Sequence, residues 1–142
     1  MMYLDTGCLL KLYYPEPESP RVARLVAGQS IALLALHELE LSNALQLKLF
    51  RKEAKPSQVR ATSALVEEDI RAGVLYRSPI AWEDVLRSAA SLSKTHTRST
   101  GCRSLDVLHC AAAQGVAAAS FLTTDARQRR LAQAIGLACP TL

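Results

Sequence analysis

The chain has 142 residues, of which 49% are hydrophobic and 21% are charged, so it can bury a sizeable core but is too short for a second catalytic domain. Six glycines and six prolines are too few for a disordered or collagen-like chain. The 17 basic and 13 acidic side chains give a net charge of +4, which mildly favours a polyanionic partner such as nucleic acid.

Four short apolar runs, each bounded by turn residues, predict strands. They lie at residues 2–4, 31–36, 74–76 and 120–123. Longer stretches with helical periodicity lie between these runs. This alternation predicts an α/β fold with a largely parallel sheet, formed by residues 1–142 as one domain.

Capping and turn residues predict where the helices begin and end. The predicted helices span residues 19–28, 37–52, 56–71, 81–94, 103–113 and 126–134. Ser19 and Pro20 supply an N-cap and a first-turn proline for the first of these, which Gly28 ends. The Ser/Thr-rich segment 95–101 predicts an exposed loop.

The four cysteines form no C-x-x-C pair, which favours reduced thiols in a cytoplasmic protein over a zinc knuckle or a disulfide framework. The start, Met-Met-Tyr-Leu-Asp, lacks the basic segment of a signal peptide. The uncharged stretch 107–124 is 18 residues long but is rich in alanine and interrupted by polar residues. It predicts a buried helix, a glycine stop and a strand, and not a membrane span.

Four of the 13 acidic residues stand where a solvated acid is unusual. Asp5 and Asp125 follow the first and the last predicted strand, and the carboxyl ends of parallel strands meet at one edge of a sheet. Both are also good N-caps for the next helix, which is the commoner use of such an aspartate. Glu40 and Asp106 lie on otherwise apolar helical stretches, where burying a carboxylate is costly unless it is paired or bound to a metal.

Four carboxylates with no basic residue beside them would repel one another, and a hard divalent cation would relieve this repulsion. Ligands that are all oxygen favour Mg²⁺ or Mn²⁺ over zinc. Such an ion polarises a phosphoryl oxygen and lowers the pKa of bound water, which together suffice to hydrolyse a phosphodiester. The acids therefore predict a candidate metal site for phosphodiester hydrolysis.

Four segments, in chain order, resemble the motifs of the PIN-domain ribonucleases, and within them the VapC-type toxins of bacterial and archaeal toxin–antitoxin pairs. They are YLDTGCLLKLYYPEPES at 3–19, ELSNAL at 40–45, RSLDVLHCAAA at 103–113 and FLTTDARQRRLA at 121–132. The segments have the family's order and spacing and span nearly the whole chain. The resemblance implies an α/β/α sandwich with a largely parallel central sheet.

The resemblance also implies roles for individual residues. The positions that match the family's metal-binding, catalytic acids are Asp5, Glu40, Asp106 and Asp125. Thr6 and Thr124 match small hydroxyl positions that steady the site, and Arg103 and Lys11 match residues near it. The implied activity is endoribonucleolytic cleavage with Mg²⁺ or Mn²⁺, of tRNA or rRNA, that leaves a 5′-phosphate and a 3′-hydroxyl.

The partners implied by the resemblance are a small antitoxin, whose tail covers the acidic site, and a second copy of the chain in a homodimer. Basic side chains of the segment near residue 98 and of the last helix could form a rim that contacts phosphates, although solvation alone would also explain them. These side chains are Lys94, Arg98, Arg103, Arg127, Arg129 and Arg130.

Several assignments stay open. Glu38 competes with Glu40, because the two lie about 200° apart on a helix and cannot both face the sheet edge; the spacing to Asn43 favours Glu40. Asn43 could bond a carboxylate or a phosphate, or serve only the helix. His109 lies one turn after Asp106 and could bond it or a substrate, or be a structural histidine.

Two other functions compete with the nuclease. A PIN-like module that binds RNA or protein without catalysis would be favoured by the loss of one acid, and all four are present. A phosphoacceptor or phosphatase with Asp5 as its nucleophile is expected to have a second acid two residues later. Residue 7 is a glycine, which disfavours this function.

Overall fold

The computed structural model describes residues 1–142 and contains one sheet of four parallel strands. The strands are β1 (Met2–Leu4), β2 (Ile31–Leu33), β3 (Leu75–Arg77) and β4 (Ser120–Leu122), in the order β3-β2-β1-β4. In the register of β1, Met2 lies opposite Ile31 on one side and Ser120 on the other. The predicted parallel sheet is confirmed.

Seven helices accompany the sheet. They are α1 (Thr6–Tyr13), α2 (Ser19–Val26), α3 (Ala35–Phe50), α4 (Pro56–Arg71), α5 (Trp82–Thr100), α6 (Ser104–Gly115) and α7 (Ala126–Ala134). Six of them match helices expected from capping and periodicity, and α1 matches the helix in the first of the resembling segments. The predicted N-cap of α2 is one residue off, since Glu18 and not Ser19 holds that position.

The strands bury both faces, because successive side chains of a strand point to opposite sides of the sheet. Met2 and Leu4 belong to a core shared with α1 to α4, whereas Tyr3 belongs to a core shared with α5 to α7. Leu122 and Phe121 divide between the two cores in the same way. The molecule is therefore an α/β/α sandwich, as the resemblance implies.

The second strand is shorter than expected, since β2 ends at Leu33 and α3 already begins at Ala35. The backbone N–H of Leu34 donates to His37 Nδ1 at 3.0 Å, and the N–H of Glu38 donates to the Leu34 carbonyl at 3.2 Å. These bonds start a helix at residues whose apolar character alone predicted a strand.

The loop predicted at 95–101 is wrong, because α5 continues to Thr100 and ends at Gly101 in the left-handed conformation, with φ 70°. The hydroxyls of Thr95 and Thr100 donate to the carbonyls four residues earlier, at 3.3 and 3.0 Å. Ser/Thr side chains satisfied in this way are compatible with a helix. The weak local preference of these Ser and Thr residues for a loop is overridden by the packing of α5 against α6 and α7.

The uncharged stretch 107–124 forms the buried part of α6 and then β4, as predicted. α6 ends at Gly115, where an added Cβ would lie 3.0 Å from Val85 Cγ2, so glycine allows α6 to approach α5. No helix has the length and apolar character needed to cross a membrane. All four cysteines are free thiols.

His37 is a buried polar link between β1, β2 and α3. Its side chain is fully buried, Nδ1 accepts from Leu34 N–H, and Nε2 donates to the Leu4 carbonyl at 2.9 Å. Burial, with the nearby His109, lowers the pKa of His37 to about 4. The ring therefore stays neutral, because a proton on Nδ1 would break the bond to Leu34.

This arrangement predicts that the free energy of unfolding decreases as the pH is lowered, already above the pH range in which carboxylates titrate. Between the unfolded pKa of 6.5 and the folded value near 4, the unfolded chain binds the extra proton, so folding weakens as pH falls. From pH 7 to pH 5 we expect a loss of about 2 kcal/mol. Urea unfolding at the two pH values measures it. His37→Gln, which keeps one donor and one acceptor, should remove most of this loss; an equal loss in the variant would contradict the role of His37.

Candidate functional site

The site lies at the carboxyl ends of β1 and β4, neighbouring strands from which the chain departs toward opposite faces of the sheet. A crevice at such a switch point is where open α/β sheets bind ligands. Asp5 directly follows β1, and its backbone N–H donates to the Leu122 carbonyl at 3.0 Å. Asp5 also caps α1, because Oδ1 accepts from the N–H of Cys8 at 2.7 Å. One short turn thus fixes this carboxylate at the sheet edge.

Glu40 reaches the same crevice from α3. Its Oε2 accepts from the Thr6 hydroxyl and from His109 Nε2, each at 2.6 Å. His109 is buried, and its Nδ1 lies 2.8 Å from the Tyr3 hydroxyl. Because a carboxylate only accepts, Nε2 of His109 carries the proton toward Glu40, and Nδ1 accepts from Tyr3.

This network decides the charge state of its members. Burial would raise the pKa of Glu40, but the hydrogen bonds from His109 and Thr6 lower it below its usual range. Burial, together with the charge of Glu40, raises the pKa of Tyr3, so its hydroxyl remains a donor. The second acid is therefore an anion held in one orientation by two buried neighbours, one of which is itself held by Tyr3.

Asp106 occupies the first turn of α6. Its Oδ2 accepts from the backbone N–H of Arg103 at 2.9 Å and lies 3.3 Å from Arg103 Nε. The Asp106 side chain is 14% exposed, whereas that of Arg103 is 75% exposed. The aspartate thus closes the N-terminus of α6, and the guanidinium reaches into solvent at the edge of the site.

Asp125 is the N-cap of α7. Its Oδ1 accepts from the backbone N–H groups of Arg127 and Gln128, at 2.7 and 3.1 Å. Burial would raise the pKa of Asp125, but these two bonds and the Arg127 charge lower it. The fourth acid is therefore also ionised and fixed.

All four carboxylates line one open cleft of about 550 Å³. The lining residues are Asp5, Thr6, Gly7, Glu40, Arg103, Ser104, Leu105, Asp106, His109, Asp125 and Gln128. In three of the acids one oxygen takes the hydrogen bonds and the other makes none; the oxygens left without one are Glu40 Oε1, Asp106 Oδ1 and Asp125 Oδ2. In each of these acids, one oxygen is thus oriented by hydrogen bonds and the other is left to bind a ligand.

The donors in this cleft fit a hard divalent cation by their chemistry, since they are carboxylate oxygens. No three acidic, histidine or cysteine side chains lie close enough to hold an ion jointly as they stand. Mg²⁺ keeps several of its waters and uses only one or two carboxylates in many sites, so it does not need a complete protein cage. The residues therefore fit Mg²⁺ or Mn²⁺ bound partly through water.

The two candidate glutamates lie on different sides of α3. Glu40 lines the cleft, whereas Glu38 is exposed and pairs with Arg77 at 2.6 Å. Glu38 instead lines a separate groove between α3 and α4. The structure thus brings Glu40, and not Glu38, together with the three aspartates.

Among the supporting residues, Thr6, Arg103 and His109 lie at the cleft. His109 bonds Glu40 and Tyr3 and makes no hydrogen bond to Asp106, which lies one turn earlier. Helical spacing could not predict the bond from His109 to Glu40, because the two residues lie on different helices.

Two expected supporting residues lie elsewhere. Asn43 is exposed on α3 and its side chain makes no hydrogen bond. Lys11 forms an ion pair with Glu16 at 2.5 Å and is not part of the cleft lining. Neither side chain contacts the four acids.

After β4, the hydroxyl that contacts an acid of the cleft belongs to Thr123, not to Thr124. Thr123 is 1% exposed and donates to Asp5 Oδ2 at 2.6 Å, whereas Thr124 is exposed. Leu4 pairs with Leu122, so the next residues, Asp5 and Thr123, lie level with each other. Aligning the two predicted strands would have found this contact.

The family model described as "PIN domain" matches residues 2–134. No curated protein matches the chain.

Two solved structures share the fold. The crystal structure of FitAcB from Neisseria gonorrhoeae matches with a TM-score of 0.64 and 18% sequence identity, over 99% of this chain and 97% of that one. The crystal structure of VapBC2 from Rickettsia felis, bound to a DNA fragment from their promoter, matches with a TM-score of 0.61 and 19% identity, over 99% of this chain and 98% of that one.

The buried network predicts that the Tyr3 hydroxyl stabilises the fold. Tyr3→Phe leaves His109 Nδ1 buried without a donor, so we expect a loss of about 1–3 kcal/mol in the free energy of unfolding. Urea denaturation measures it. The matched control is Tyr76→Phe, since Tyr76 is 52% exposed and its loss should stay within about 0.5 kcal/mol. Equal small effects would show that the bond from Tyr3 contributes no stability.

Proposed function

This chain belongs to the PIN domain family, and from that premise we propose that it is a divalent-metal-dependent endoribonuclease of the VapC toxin type. The observation that carries the proposal is the convergence of four carboxylates from four separate segments of the chain on one open cleft. A fold needs no such convergence, because like charges that face one cleft repel one another and oppose folding. The four motif segments of the sequence point to the same activity.

The acids proposed to hold the metal and to support catalysis are Asp5, Glu40, Asp106 and Asp125. Bound Mg²⁺ or Mn²⁺ would supply a Lewis acid for a phosphoryl oxygen and a lowered pKa for water. Hydrolysis adds water across the phosphodiester, breaks the bond between phosphorus and the 3′ oxygen, and leaves a 5′-phosphate and a 3′-hydroxyl.

The remaining side chains of the cleft position the acids and the substrate. Thr6 and His109 orient Glu40, and Thr123 orients Asp5. Arg103 is the cationic side chain among the lining residues, and its exposure supports a contact with an RNA phosphate. These are positioning and binding roles.

RNA is the proposed substrate, with tRNA and rRNA as the expected classes. The cleft is open to solvent and has a volume of about 550 Å³, which is large enough for a polymer backbone to approach the acids. The net charge of +4 attracts a polyanion although the cleft itself is acidic. Two other arginines of the expected rim, Arg129 and Arg130, donate to the carbonyls of Thr123 and Thr100 and line a separate depression beside Thr124, not the acidic cleft itself.

Two protein partners belong to the same proposal. One is a small antitoxin whose tail covers the acidic cleft, and the other is a second copy of the chain. The likeness of the fold to VapBC2 supports the antitoxin, whereas the homodimer rests on the resemblance of the motifs to VapC-type toxins.

The activity predicts opposite results for two glutamates of one helix. Glu40→Gln removes a charge from the cleft, so we expect RNA cleavage to fall by roughly 100-fold or more. Glu38→Gln changes only an exposed ion pair with Arg77 and should leave the rate unchanged. The measurement is cleavage of a mixed tRNA and rRNA pool with Mn²⁺ or with EDTA, with mapping of the cut ends.

Cleavage that requires Mn²⁺, leaves 5′-phosphates and is lost only in Glu40→Gln would support the nuclease. If wild-type protein binds RNA but cuts none with Mn²⁺, the chain is a binding module and the proposal is wrong. Equal activity of Glu40→Gln and wild type would remove Glu40 from the catalytic site.

The proposed homodimer predicts a solution mass of two chains of 15.4 kDa each. Size-exclusion chromatography with light scattering of the protein without antitoxin measures it. A mass of one chain over the accessible concentration range would contradict the homodimer without affecting the nuclease.

A further inference from the structure

Gln128 holds a buried polar atom whose partner the protein does not supply. The residue lies in α7, is 1% exposed and is one of the residues that line the acidic cleft. Its Oε1 is buried and has no hydrogen-bond partner, and no other buried side-chain nitrogen or oxygen is left unpaired. Buried polar groups are nearly always satisfied, so an orphan of this kind needs an explanation.

The other atoms of Gln128 are fixed and determine which way its amide points. Nε2 donates to the backbone carbonyl of Asp106 at 3.2 Å, and the backbone N–H donates to Asp125 Oδ1 at 3.1 Å. Turning the amide over would place Oε1 against the Asp106 carbonyl, which is also an acceptor. The oxygen is therefore the atom left without a partner.

The two groups to which Gln128 donates, through Nε2 and through its backbone N–H, are a backbone carbonyl and a carboxylate, both belonging to candidate metal-binding residues. Cys110 Sγ donates to the backbone carbonyl of Gln128, at 3.9 Å, and not to its side-chain oxygen. A buried amide oxygen among acceptors is satisfied by a cation or by a water that donates to it. Amide carbonyl oxygens are ordinary ligands of hard divalent cations.

We propose that Gln128 Oε1 is an additional oxygen ligand of the cleft, which contacts the divalent cation, or a water molecule of its hydration shell, beside Asp106 and Asp125. The inference rests on the proposed metal-dependent function and adds a neutral ligand to its four acids. One residue of α7 would then serve the site twice, since the backbone N–H of Gln128 donates to Asp125, the N-cap of the helix, and its side chain reaches the ion.

The test measures Mn²⁺ binding directly, by titration calorimetry and by the rise in melting temperature that binding produces. Gln128→Met keeps the length of the side chain and removes its whole amide, that is, Oε1 and the Nε2 that donates to the Asp106 carbonyl. We expect Mn²⁺ affinity to fall roughly 10–100-fold, as for other residues that support metal ligands. Without metal, the melting temperature should stay close to that of the wild type, because the gain from removing the orphan acceptor and the loss of the Nε2 bond oppose each other.

The matched control is Gln114→Met. Gln114 lies on α6, donates to the Ile135 carbonyl at 3.2 Å and lines a different depression. Its substitution should leave Mn²⁺ affinity unchanged. Unchanged Mn²⁺ affinity in Gln128→Met would mean that an ordinary buried water satisfies Oε1, and would overturn the proposal.

One further variant keeps the outcomes distinct. Asp106→Asn reports on the metal site itself: if it and the wild type bind Mn²⁺ equally, the proposed function and this inference both fail. If Asp106→Asn loses binding and Gln128→Met retains it, only this inference fails.

A second substitution at position 128 covers the case in which Gln128→Met does not fold. Gln128→Glu keeps an oxygen there and adds a charge. Mn²⁺ should then raise its melting temperature more than that of the wild type, and an equal or smaller rise would contradict the contact.

Discussion

The parallel pairing of β1 with β4 is the constraint on which the site depends. Leu4 pairs with Leu122, so both strands end at the same level and the chain turns into a helix on each side. Asp5 then bonds across this junction twice, through its backbone to Leu122 and through its side chain to Thr123. A slip of one residue in this register would turn every side chain of the strand to the other face and separate these groups.

The cluster of four acids survives in the fold because each carboxylate is hydrogen-bonded. Asp5, Asp106 and Asp125 accept from backbone N–H groups at the N-termini of α1, α6 and α7. An anion at a helix N-terminus gains about 0.3–1 kcal/mol from the helix dipole. Capping and metal binding are therefore compatible uses of the same residues, because one oxygen of Asp106 or Asp125 caps its helix and the other makes no hydrogen bond, although Asp125 Oδ2 lies 3.8 Å from the Arg127 guanidinium.

Glu40 lies in the first half of α3, where no helix end stabilises its charge. Hydrogen bonds from other side chains stabilise it instead. His109 and Thr6 come from two other elements, and Tyr3 fixes the far side of the histidine. His37 links α3 to β1 on the same side of the sheet, with its ring 5.3 Å from that of His109. These buried polar groups place α3 against the sheet edge and fix the position of the one acid that no cap holds.

Periodicity, capping residues and motif spacing are local properties of the chain. They were enough to predict the alternation of strands and helices, the parallel sheet and which four acids meet at its edge. The sequence placed a loop at 95–101 because Ser and Thr favour loops locally, while the packing of α5 decided for helix. It put the supporting hydroxyl at Thr124 and did not find Tyr3, Gln128 or the structural role of His37. Only the tertiary structure decided these, because hydrogen bonds such as that between Tyr3 and His109 join residues far apart in the chain, and strand register, helix packing and burial determine which of them meet.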